Sequence, residues 1–494
     1  MAINLPVLPN EPRQPSRKLP LARGTKTSLI ENHQIRLHAP GDRPWERHPD
    51  NHRDRINVEQ HGATFVVYKP SIGALSALDD KDYVSFHVFM AAEGDREALT
   101  RYLVQMGEHE PSAVAHAARL SEKFVRDGWA RTALPQIENA PLASVYFTVT
   151  RYCDLTCPYC YQGLNNRANT EMTLDQVRLA LGRIKDVNPN CQITITGGEP
   201  FSHQHIHEIL DIVDEHEFPM IILSNGTFID DAAARHLKSL KGFRFIQISL
   251  DGITEETHAL TRGKGHFPKA MAAIRSIIDQ GLSFKLAPTL HNGNMHELSA
   301  IGDLAVSNGG WLSPNQLKEL PHAGLNFTNV AMSSDGLIEA LRNLNQHLVA
   351  KFGLPRFVEL SQQYLRNDPE VCSVTAPNST FVCGMGHSLL DIDWNGDVYP
   401  CHLNKGPDLL IGNVFQEDFA AIFQRVEDRG LRVKSNEIEK CSGCKFVSNC
   451  AGGCRAGAWF NYGTLESEDE LCDINYASHL HRLLVGAAVG AERS

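Results

Sequence analysis

Residues 144–160 read SVYFTVTRYCDLTCPYC, an apolar strand pattern followed at once by a cysteine-rich loop. The first seven of these residues are almost all β-branched or aromatic, which is typical of a buried strand. Cys153, Cys157 and Cys160 then place three thiols on one short loop. Soft sulfur ligands favour iron–sulfur clusters or zinc. Three are too few to close a tetrahedral zinc site, whereas on a four-iron cluster they leave one iron open to a ligand.

The chain on the C-terminal side of this loop alternates strand and helix patterns. Short apolar runs predict further strands at 192–196, 220–224, 243–250 and 284–289. Amphipathic patterns predict helices near 173–185, 205–216, 231–240, 267–280 and 296–306. Such βα units predict an α/β fold with a parallel sheet, closed or nearly closed as a barrel. In barrels of this kind the loops that follow the strands build the active site.

Chemically informative residues follow the other predicted strands. Gly197, Gly198, Glu199 and Pro200 come directly after the second strand, where glycines let a ligand approach the backbone and a carboxylate can meet an ammonium group. Alone, this turn is equally consistent with a tight strand-to-helix connection. The third and fourth strands end in Ser224, Asn225, Ser249 and Asp251, with Arg262 further on. All these positions open onto the same end of the predicted barrel as the cysteine loop.

The cysteine loop, with an aromatic residue before its last cysteine, and the glycine-containing turn resemble the radical S-adenosylmethionine (radical SAM) superfamily. The resemblance implies a partial (β/α)6 TIM-like barrel, a 4Fe-4S cluster on the three cysteines, and S-adenosylmethionine chelated to the open iron. Reductive cleavage would release a 5′-deoxyadenosyl radical that abstracts a substrate hydrogen. The electron would come from a donor such as flavodoxin or ferredoxin.

The same resemblance implies which residues bind S-adenosylmethionine. Residues Gly197–Glu199 would hold the methionine amino group, and Ser249 and Arg262 would lie near the carboxylate or the ribose. The expected cofactor-binding residues are Tyr159, Gly197, Gly198, Glu199, Pro200, Ser224, Asn225, Ser249, Asp251 and Arg262.

Seven further cysteines crowd the C-terminal quarter: Cys383, Cys401, Cys441, Cys444, Cys450, Cys454 and Cys472. They exceed the needs of any one site, so at least two centres are expected. Ligand counting alone leaves open a zinc ribbon built on the Cys441–Cys444 knuckle. A disulfide scaffold is disfavoured, because the chain carries no export signal and is long enough to bury a core without disulfides.

The spacing of these seven cysteines resembles the SPASM extension of radical SAM enzymes, which carries two auxiliary 4Fe-4S clusters. The resemblance implies a distal cluster on Cys441, Cys444, Cys450 and Cys472. It also implies a cluster nearer the substrate on Cys383, Cys401 and Cys454. The fourth ligand of this nearer cluster stays open between Cys372, His387 and an iron that binds substrate. Cys191 and Cys372 are otherwise interpreted as buried or incidental thiols.

His402 occupies a position where sulfatase-maturing relatives place an aspartate that acts as a substrate base. An imidazole can accept the same proton near neutral pH, which makes His402 the candidate catalytic residue. An equally open interpretation is that His402 only hydrogen-bonds a cluster sulfur.

The predicted domains are an extended, partly disordered arm (1–56), a small α+β unit (57–135), the radical SAM barrel (141–355) and the SPASM domain (356–494). In the α+β unit, residues 62–70 predict a strand, the apolar run 84–90 predicts a strand or a helix, and Ser112 is the predicted helix cap. The helix capped by Ser112 is predicted to end at Asp127. This unit looks like the winged-helix domains of ribosomal-peptide maturases, which grip a leader peptide as an added strand. A simple packing domain is the alternative.

Composition and net charge exclude several other classes of protein. The 494 residues are 42% hydrophobic and 21% charged with a formal net charge of −11, which predicts a globular chain without nucleic-acid or membrane partners. No apolar run reaches the roughly 18 residues of a membrane span, and no signal peptide is evident, so a cytoplasmic location is expected.

The predicted function is oxidative modification of a ribosomally made peptide or protein, through a thioether, a carbon–carbon crosslink or a similar change. The first alternative is anaerobic sulfatase-type formylglycine formation. The second is a non-catalytic iron–sulfur carrier or zinc-stabilised binding protein, which would have no need of a pocket for S-adenosylmethionine.

Overall fold

The computed structural model describes residues 56–61, 64–131, 142–163, 170–318, 332–353, 356, 383–386, 388–450, 452–477, 479 and 483. The predicted N-terminal arm lies outside these ranges except for its last residue. Cys372 and His387, two candidates for the open fourth-ligand position, lie outside them as well. Among the described residues, no helix has the length and apolarity that crossing a bilayer requires.

The N-terminal unit is a three-stranded antiparallel sheet followed by three helices. The strands β1 (Asn57–His61), β2 (Thr64–Lys69) and β3 (Ala74–Leu78) lie in chain order, so β1 and β3 form the two edges. The helices are α1 (Asp80–Ala91), α2 (Arg96–Gln105) and α3 (Glu110–Arg126). The aromatic rings of Phe86, Phe124 and Trp129 pack edge to face beneath the sheet and anchor this core.

Two details of this unit resolve or correct the sequence predictions. The apolar run 84–90 lies in α1, where the Asp79 side chain caps the helix by accepting a hydrogen bond from the backbone N–H of Asp82 at 2.8 Å. The prediction that Ser112 caps the next helix is wrong, because α3 begins at Glu110 with Pro111 in its first turn. Proline suits that position, since its fixed φ is helical and its missing N–H would have no partner there.

The centre of the molecule is a nine-stranded sheet in the order β10-β8-β7-β6-β5-β4-β12-β13-β14. Its barrel strands are β4 (Ser144–Thr150), β5 (Gln192–Gly197), β6 (Met220–Ser224), β7 (Phe243–Ile248), β8 (Phe284–Leu286) and β10 (Trp311–Leu312). These six strands run parallel, which confirms the predicted α/β fold with a partial (β/α)6 barrel. The short strands β9 (Thr289–Leu290) and β11 (Asn315–Gln316) pair with each other.

Helices cover the outer face of the barrel sheet. They are α4 (Leu174–Val187), α5 (Ile206–Glu215), α6 (Asp231–Ser239), α7 (Glu255–Arg262), α8 (Phe267–Asp279), α9 (Leu298–Ser307) and α10 (Ser334–Phe352). Five of them match the predicted helices, whereas α7 and α10 were not predicted. In β4 the side chain of Phe147 packs into the helix-facing core. Tyr146 and Thr148 point to the opposite face, where Tyr146 stacks on His402 and Thr148 accepts a hydrogen bond from Lys405.

The cysteine-rich C-terminal part begins as an extension of the barrel sheet. Strand β12 (Leu389–Ile392) pairs in parallel with β4, and β13 (Asp397–Tyr399) and β14 (Gly412–Asn413) add antiparallel strands. The helices that follow are α11 (Phe419–Asp428), α12 (Val447–Cys450) and α13 (Arg455–Tyr462). Because β12 lies against β4, the loop that carries Cys401 is held beside the strand that leads into the first cysteine loop.

Candidate active site

The first cysteine loop leaves the carboxyl end of β4, as the sequence predicts. Burial raises the pKa of Cys153 to about 12 and that of Cys157 to about 11, and the neighbouring thiols add to both shifts. The thiol pKa of Cys160 is also raised, chiefly by burial. The thiols therefore hold their protons at neutral pH until a metal displaces them. Three thiols that lie within electrostatic reach of one another fit a cluster held by this loop.

The glycine-containing turn is tied to the backbone that leads into the cysteine loop. Gly198 N–H donates to the Thr150 carbonyl and Glu199 N–H donates to the Tyr152 carbonyl, both at 2.8 Å. A Cβ added at Gly198 would lie 2.5 Å from the Arg151 carbonyl oxygen and closer still to that of Tyr152. The glycine is thus required for the two loops to meet. Besides allowing a ligand to approach, as the sequence predicts, the glycine allows this backbone contact.

Glu199 follows β5, is fully buried and is hydrogen-bonded to residues at the end of β6. Its carboxylate accepts hydrogen bonds from the Ser224 hydroxyl at 2.8 Å, the Asn225 N–H at 2.6 Å and the Phe201 N–H at 3.1 Å. Burial raises the pKa of Glu199 to about 7, although these hydrogen bonds oppose the shift. Asn225 also donates from Nδ2 to Asp154 Oδ1 at 2.9 Å, so it links the Glu199 carboxylate to the cysteine loop.

Asp251 and Arg262 form a buried ion pair beneath the cysteine loop. Arg262 Nε lies 2.7 Å from Asp251 Oδ2, and the guanidinium carbon lies 5.5 Å from the ring centroid of Tyr159. Asp251 also accepts hydrogen bonds from the Tyr159 hydroxyl and from Thr289 N–H. Although burial acts to raise it, the pKa of Asp251 is held well below its usual range by the charge and hydrogen bonds of Arg262. Arg262 in turn acts to lower the pKa of Cys157.

Asp251→Asn is expected to lower the free energy of unfolding of the apoprotein by about 3–5 kcal/mol, because it leaves the Arg262 guanidinium buried without its counter-ion. Anaerobic urea unfolding measures this loss. The surface variant Asp186→Asn is the matched control and should stay within about 0.5 kcal/mol of the wild type. If Asp251→Asn is equally neutral, Asp251 does not carry the charge balance of this site.

The remaining cysteines separate into two electrostatic groups. Burial, Cys383 and Cys454 together raise the pKa of Cys401 well above its usual range. This first group therefore comprises Cys383, Cys401 and Cys454. The fully buried guanidinium of Arg455 lies next to it and donates to the backbone carbonyl oxygens of Leu465 and Ser467.

The second group lines one small cavity together with Phe446 and Tyr476; its cysteines are Cys441, Cys444, Cys450 and Cys472. None of the eleven described cysteines is in a disulfide. No group of three or more His, Cys, Asp or Glu side chains in the described ranges is arranged to hold a single metal ion. The fit to clusters therefore rests on the all-thiol donor sets and on their grouping.

His402 lies between the first of these groups and the barrel face. Its ring stacks on Tyr146 with 3.9 Å between centroids, and Nδ1 lies 3.8 Å from Cys401 Sγ. Burial, assisted by the charge of Lys405, lowers the pKa of His402 to about 3. The imidazole is therefore neutral. A neutral ring is compatible with both interpretations of this residue, as a proton acceptor or as a partner of the Cys401 sulfur.

Two functional candidates on the same face, Asp391 and Lys405, were not predicted from the sequence. Asp391 in β12 is completely buried. The Lys405 ammonium lies 3.0 Å from Asp391 Oδ2. Burial raises the pKa of Asp391 to about 6, while the charge of Lys405 opposes the shift. The available signal was a lone aspartate inside the otherwise apolar run of β12, next to Tyr146 on the neighbouring strand.

These features define a class of protein: a partial parallel barrel with a three-thiol loop after its first strand and two all-cysteine groups beyond its last. The profile of the Radical SAM superfamily matches residues 147–305, and that of an iron–sulfur cluster-binding domain, SPASM, matches residues 383–445. The chain belongs to the radical SAM superfamily, in the group that carries a SPASM domain. This family uses S-adenosylmethionine with a 4Fe-4S cluster, and SPASM domains carry additional iron–sulfur clusters.

Relatives of known function match most of the chain at low identity. The AdoMet-dependent heme synthase of Nitratidesulfovibrio vulgaris is 26% identical over 343 residues, which are 66% of this chain and 91% of the synthase. The mycofactocin maturase MftC of Mycolicibacterium smegmatis is 25% identical over 342 residues, 68% of this chain and 83% of MftC. The subtilosin biosynthesis protein AlbA of Bacillus subtilis is 26% identical over 282 residues, 56% of this chain and 58% of AlbA.

Solved structures share the fold. The sulfatase-maturing enzyme anSMEcpe with bound AdoMet superposes with a TM-score of 0.55 at 20% identity, covering 72% of this chain and 99% of anSMEcpe. SuiB of Streptococcus suis superposes with a TM-score of 0.52 at 16% identity, covering 84% of this chain and 98% of SuiB. At these identities the likeness concerns the fold alone.

Proposed function

We propose that this radical SAM enzyme oxidatively modifies a ribosomally made peptide or protein, by forming a thioether, a carbon–carbon crosslink or a similar bond. The observation that carries the proposal is the N-terminal unit, an antiparallel sheet with three helices that precedes the barrel and holds none of the ten clustered cysteines. An edge strand of such a sheet has backbone groups that can pair with an extended peptide. Similarity to MftC and AlbA supports a peptide substrate.

The proposed cofactors are S-adenosylmethionine and three 4Fe-4S clusters. The cysteine loop of β4 would hold one cluster, the group of Cys401 the second and the group of Cys441 the third. When bound, S-adenosylmethionine and its cluster supply the one-electron chemistry that removes a hydrogen atom from the substrate. The Gly197–Glu199 turn would orient the methionine amino group, and the buried Arg262 would supply positive charge beside Cys157.

The proposed proton acceptor lies on the barrel face next to the group of Cys401. His402 is neutral, so its one unprotonated ring nitrogen can accept a proton while the ring stays stacked on Tyr146. The Asp391 carboxylate, with the Lys405 ammonium beside it, is a second base on the same face.

Formylglycine formation is less favoured, because His402 replaces the aspartate of the sulfatase-maturing enzymes. The remaining alternative, a simple electron carrier, would have no use for these bases.

Strand β3 provides the edge on which we expect the peptide to bind. Leu75 N–H points away from β2 and donates to the Asp127 carbonyl at 3.1 Å, at the end of α3. Because backbone groups alternate along an antiparallel strand, Ala77 N–H points to the same outer side. No strand of the described chain pairs with this side of β3.

Ala77→Pro is expected to weaken peptide binding by at least about tenfold, because proline removes an outward N–H but leaves the β2–β3 ladder intact. The measurement is fluorescence anisotropy of the full-length protein with labelled peptides encoded beside the gene. Wild-type affinity should be micromolar or tighter, on the order of −8 kcal/mol.

Ala77→Gly keeps the N–H and is the matched control, with binding expected close to the wild type. Far-ultraviolet circular dichroism verifies that both variants are folded. Equal binding by Ala77→Pro and the wild type would exclude β3 as the docking edge. Failure of the wild type to bind any of these peptides would contradict the peptide proposal and favour a small-molecule substrate.

A further inference from the structure

A buried ion pair joins the N-terminal sheet to the loop of the second C-terminal cysteine group. Glu59 in β1 accepts a hydrogen bond from the ammonium of Lys445, 386 positions away in the chain. The side chains are only 9% and 2% exposed. Lys445 directly follows Cys444, one of the four cysteines that line the cavity described above. The cost of burying two charges indicates that this contact has a role beyond packing, since an apolar pair would be at least as stable.

Aromatic rings surround the Lys445 ammonium and keep water away from it. Nζ lies 5.1 Å from the ring centroid of Tyr476, 5.5 Å from that of Tyr68 and 5.7 Å from that of Phe446. Tyr68 belongs to the N-terminal sheet, whereas Phe446 and Tyr476 belong to the C-terminal part. A charge in such a cage is weakly screened, so its field reaches the neighbouring sulfur atoms more strongly than a surface charge would.

We propose that Lys445 is a positioning residue that raises the reduction potential of the cluster on Cys441, Cys444, Cys450 and Cys472, and that Glu59 moderates this effect. The N-terminal unit thereby becomes part of the electrostatic environment of that cluster. This inference rests on the proposed cysteine ligands of that cluster. It gives the N-terminal sheet a second role, on the edge opposite to β3.

The sign of the effect follows from Coulomb's law. Reduction adds an electron to the cluster, so a nearby positive charge favours it and a nearby negative charge opposes it. Lys445 adjoins a ligand in the chain, whereas Glu59 reaches the site from the N-terminal sheet through its contact with the ammonium. Loss of the Lys445 charge should therefore lower the potential, and loss of the Glu59 charge should raise it.

The test is a dithionite titration of the anaerobically reconstituted full-length protein, followed by electron paramagnetic resonance. The wave that disappears in Cys444→Ala identifies the relevant cluster. Lys445→Met is expected to lower the ratio of reduced to oxidised cluster by roughly tenfold at fixed potential, which is about 59 mV for a one-electron couple. Glu59→Gln is expected to shift the same wave in the opposite direction.

Three controls make the outcome decisive. Lys445→Arg keeps the charge and should leave the potential near that of the wild type, as should the exposed N-terminal variant Glu97→Gln. Iron and sulfide analysis shows whether each variant holds its cluster. If Lys445→Met does not hold it, the sign of the Glu59→Gln shift alone decides.

Shifts of the same sign in Lys445→Met and Glu59→Gln, or no shift in either, would overturn the inference and leave the pair a purely structural contact. A different failure is diagnosed by Cys444→Ala. If that variant removes no redox wave, the proposed cluster ligands are wrong rather than the role of Lys445.

Discussion

Replacing Cys153, Cys157 and Cys160 together by alanine is expected to reduce cleavage of S-adenosylmethionine below detection. These thiols lie on one loop at the carboxyl end of β4, and no other described cysteine lies on a barrel loop that faces the Gly197–Glu199 turn. The iron content should fall from about twelve to about eight atoms per chain, since three four-iron clusters become two. Chromatographic assay of 5′-deoxyadenosine after anaerobic reconstitution and reduction with dithionite measures the first effect, and iron analysis measures the second.

The matched control is Cys191→Ala, which removes a thiol that is fully buried next to β5 and belongs to none of the three groups. It should keep its iron and its cleavage activity. The double variant Cys441→Ala with Cys444→Ala should retain some cleavage but lose product, if its cluster acts after hydrogen abstraction. Cleavage at the wild-type rate by the triple variant would refute the assignment of the first cluster.

Gly198→Ala is the second variant with a large expected effect, although it removes no ligand. The added methyl group would overlap the carbonyl oxygens of Arg151 and Tyr152, so the glycine turn and the cysteine loop could no longer meet. We expect cleavage of S-adenosylmethionine to fall at least about a hundredfold, because misplacement of about 1 Å has such effects on catalysis. Cleavage assays and iron analysis of the same preparation separate a misplaced S-adenosylmethionine from a lost cluster.

Gly182→Ala is the matched glycine control for this experiment. Gly182 lies within α4, and a Cβ placed there would meet no atom within 4 Å. The substitution should stabilise the protein by up to about 1 kcal/mol and leave cleavage unchanged, since alanine is the better helix former. A Gly198→Ala protein with normal iron and normal cleavage would show that the two loops do not need to touch.

Most of the barrel could be predicted from the sequence, because β4, β5 and β6 are buried on both faces and rich in apolar and β-branched residues. Strands β4 and β6 have the predicted bounds, and β5 is one residue longer. The fourth predicted strand extends to residue 250, whereas β7 ends at Ile248, since the chain turns there to place Asp251 beneath the cysteine loop. Helix α7 was not predicted: it is only eight residues long and begins with two glutamates.

The grouping of the ten clustered cysteines was also predicted, although through the family resemblance and not through their spacing. The electrostatic interactions between the thiols reproduce the same three groups. Which residues bind the metals stays a prediction, as does the role of His402. The fourth ligand next to Cys401 also stays open, because two of its candidates lie outside the described residues.

The sequence by itself therefore determined the order of the parallel strands along the chain and the location of the three thiols after the first of them. These features depend on local patterns and on spacing along one stretch of chain. Only the tertiary structure decided that Glu199 is held by Ser224 and Asn225, that Asp391 faces Lys405 beside Tyr146, and that Glu59 meets Lys445. The physical reason is that a buried charge is tolerated only with a partner, and each partner here lies on a different strand or loop of the fold. Such pairings leave no local periodicity, so they become visible only when the strands are packed.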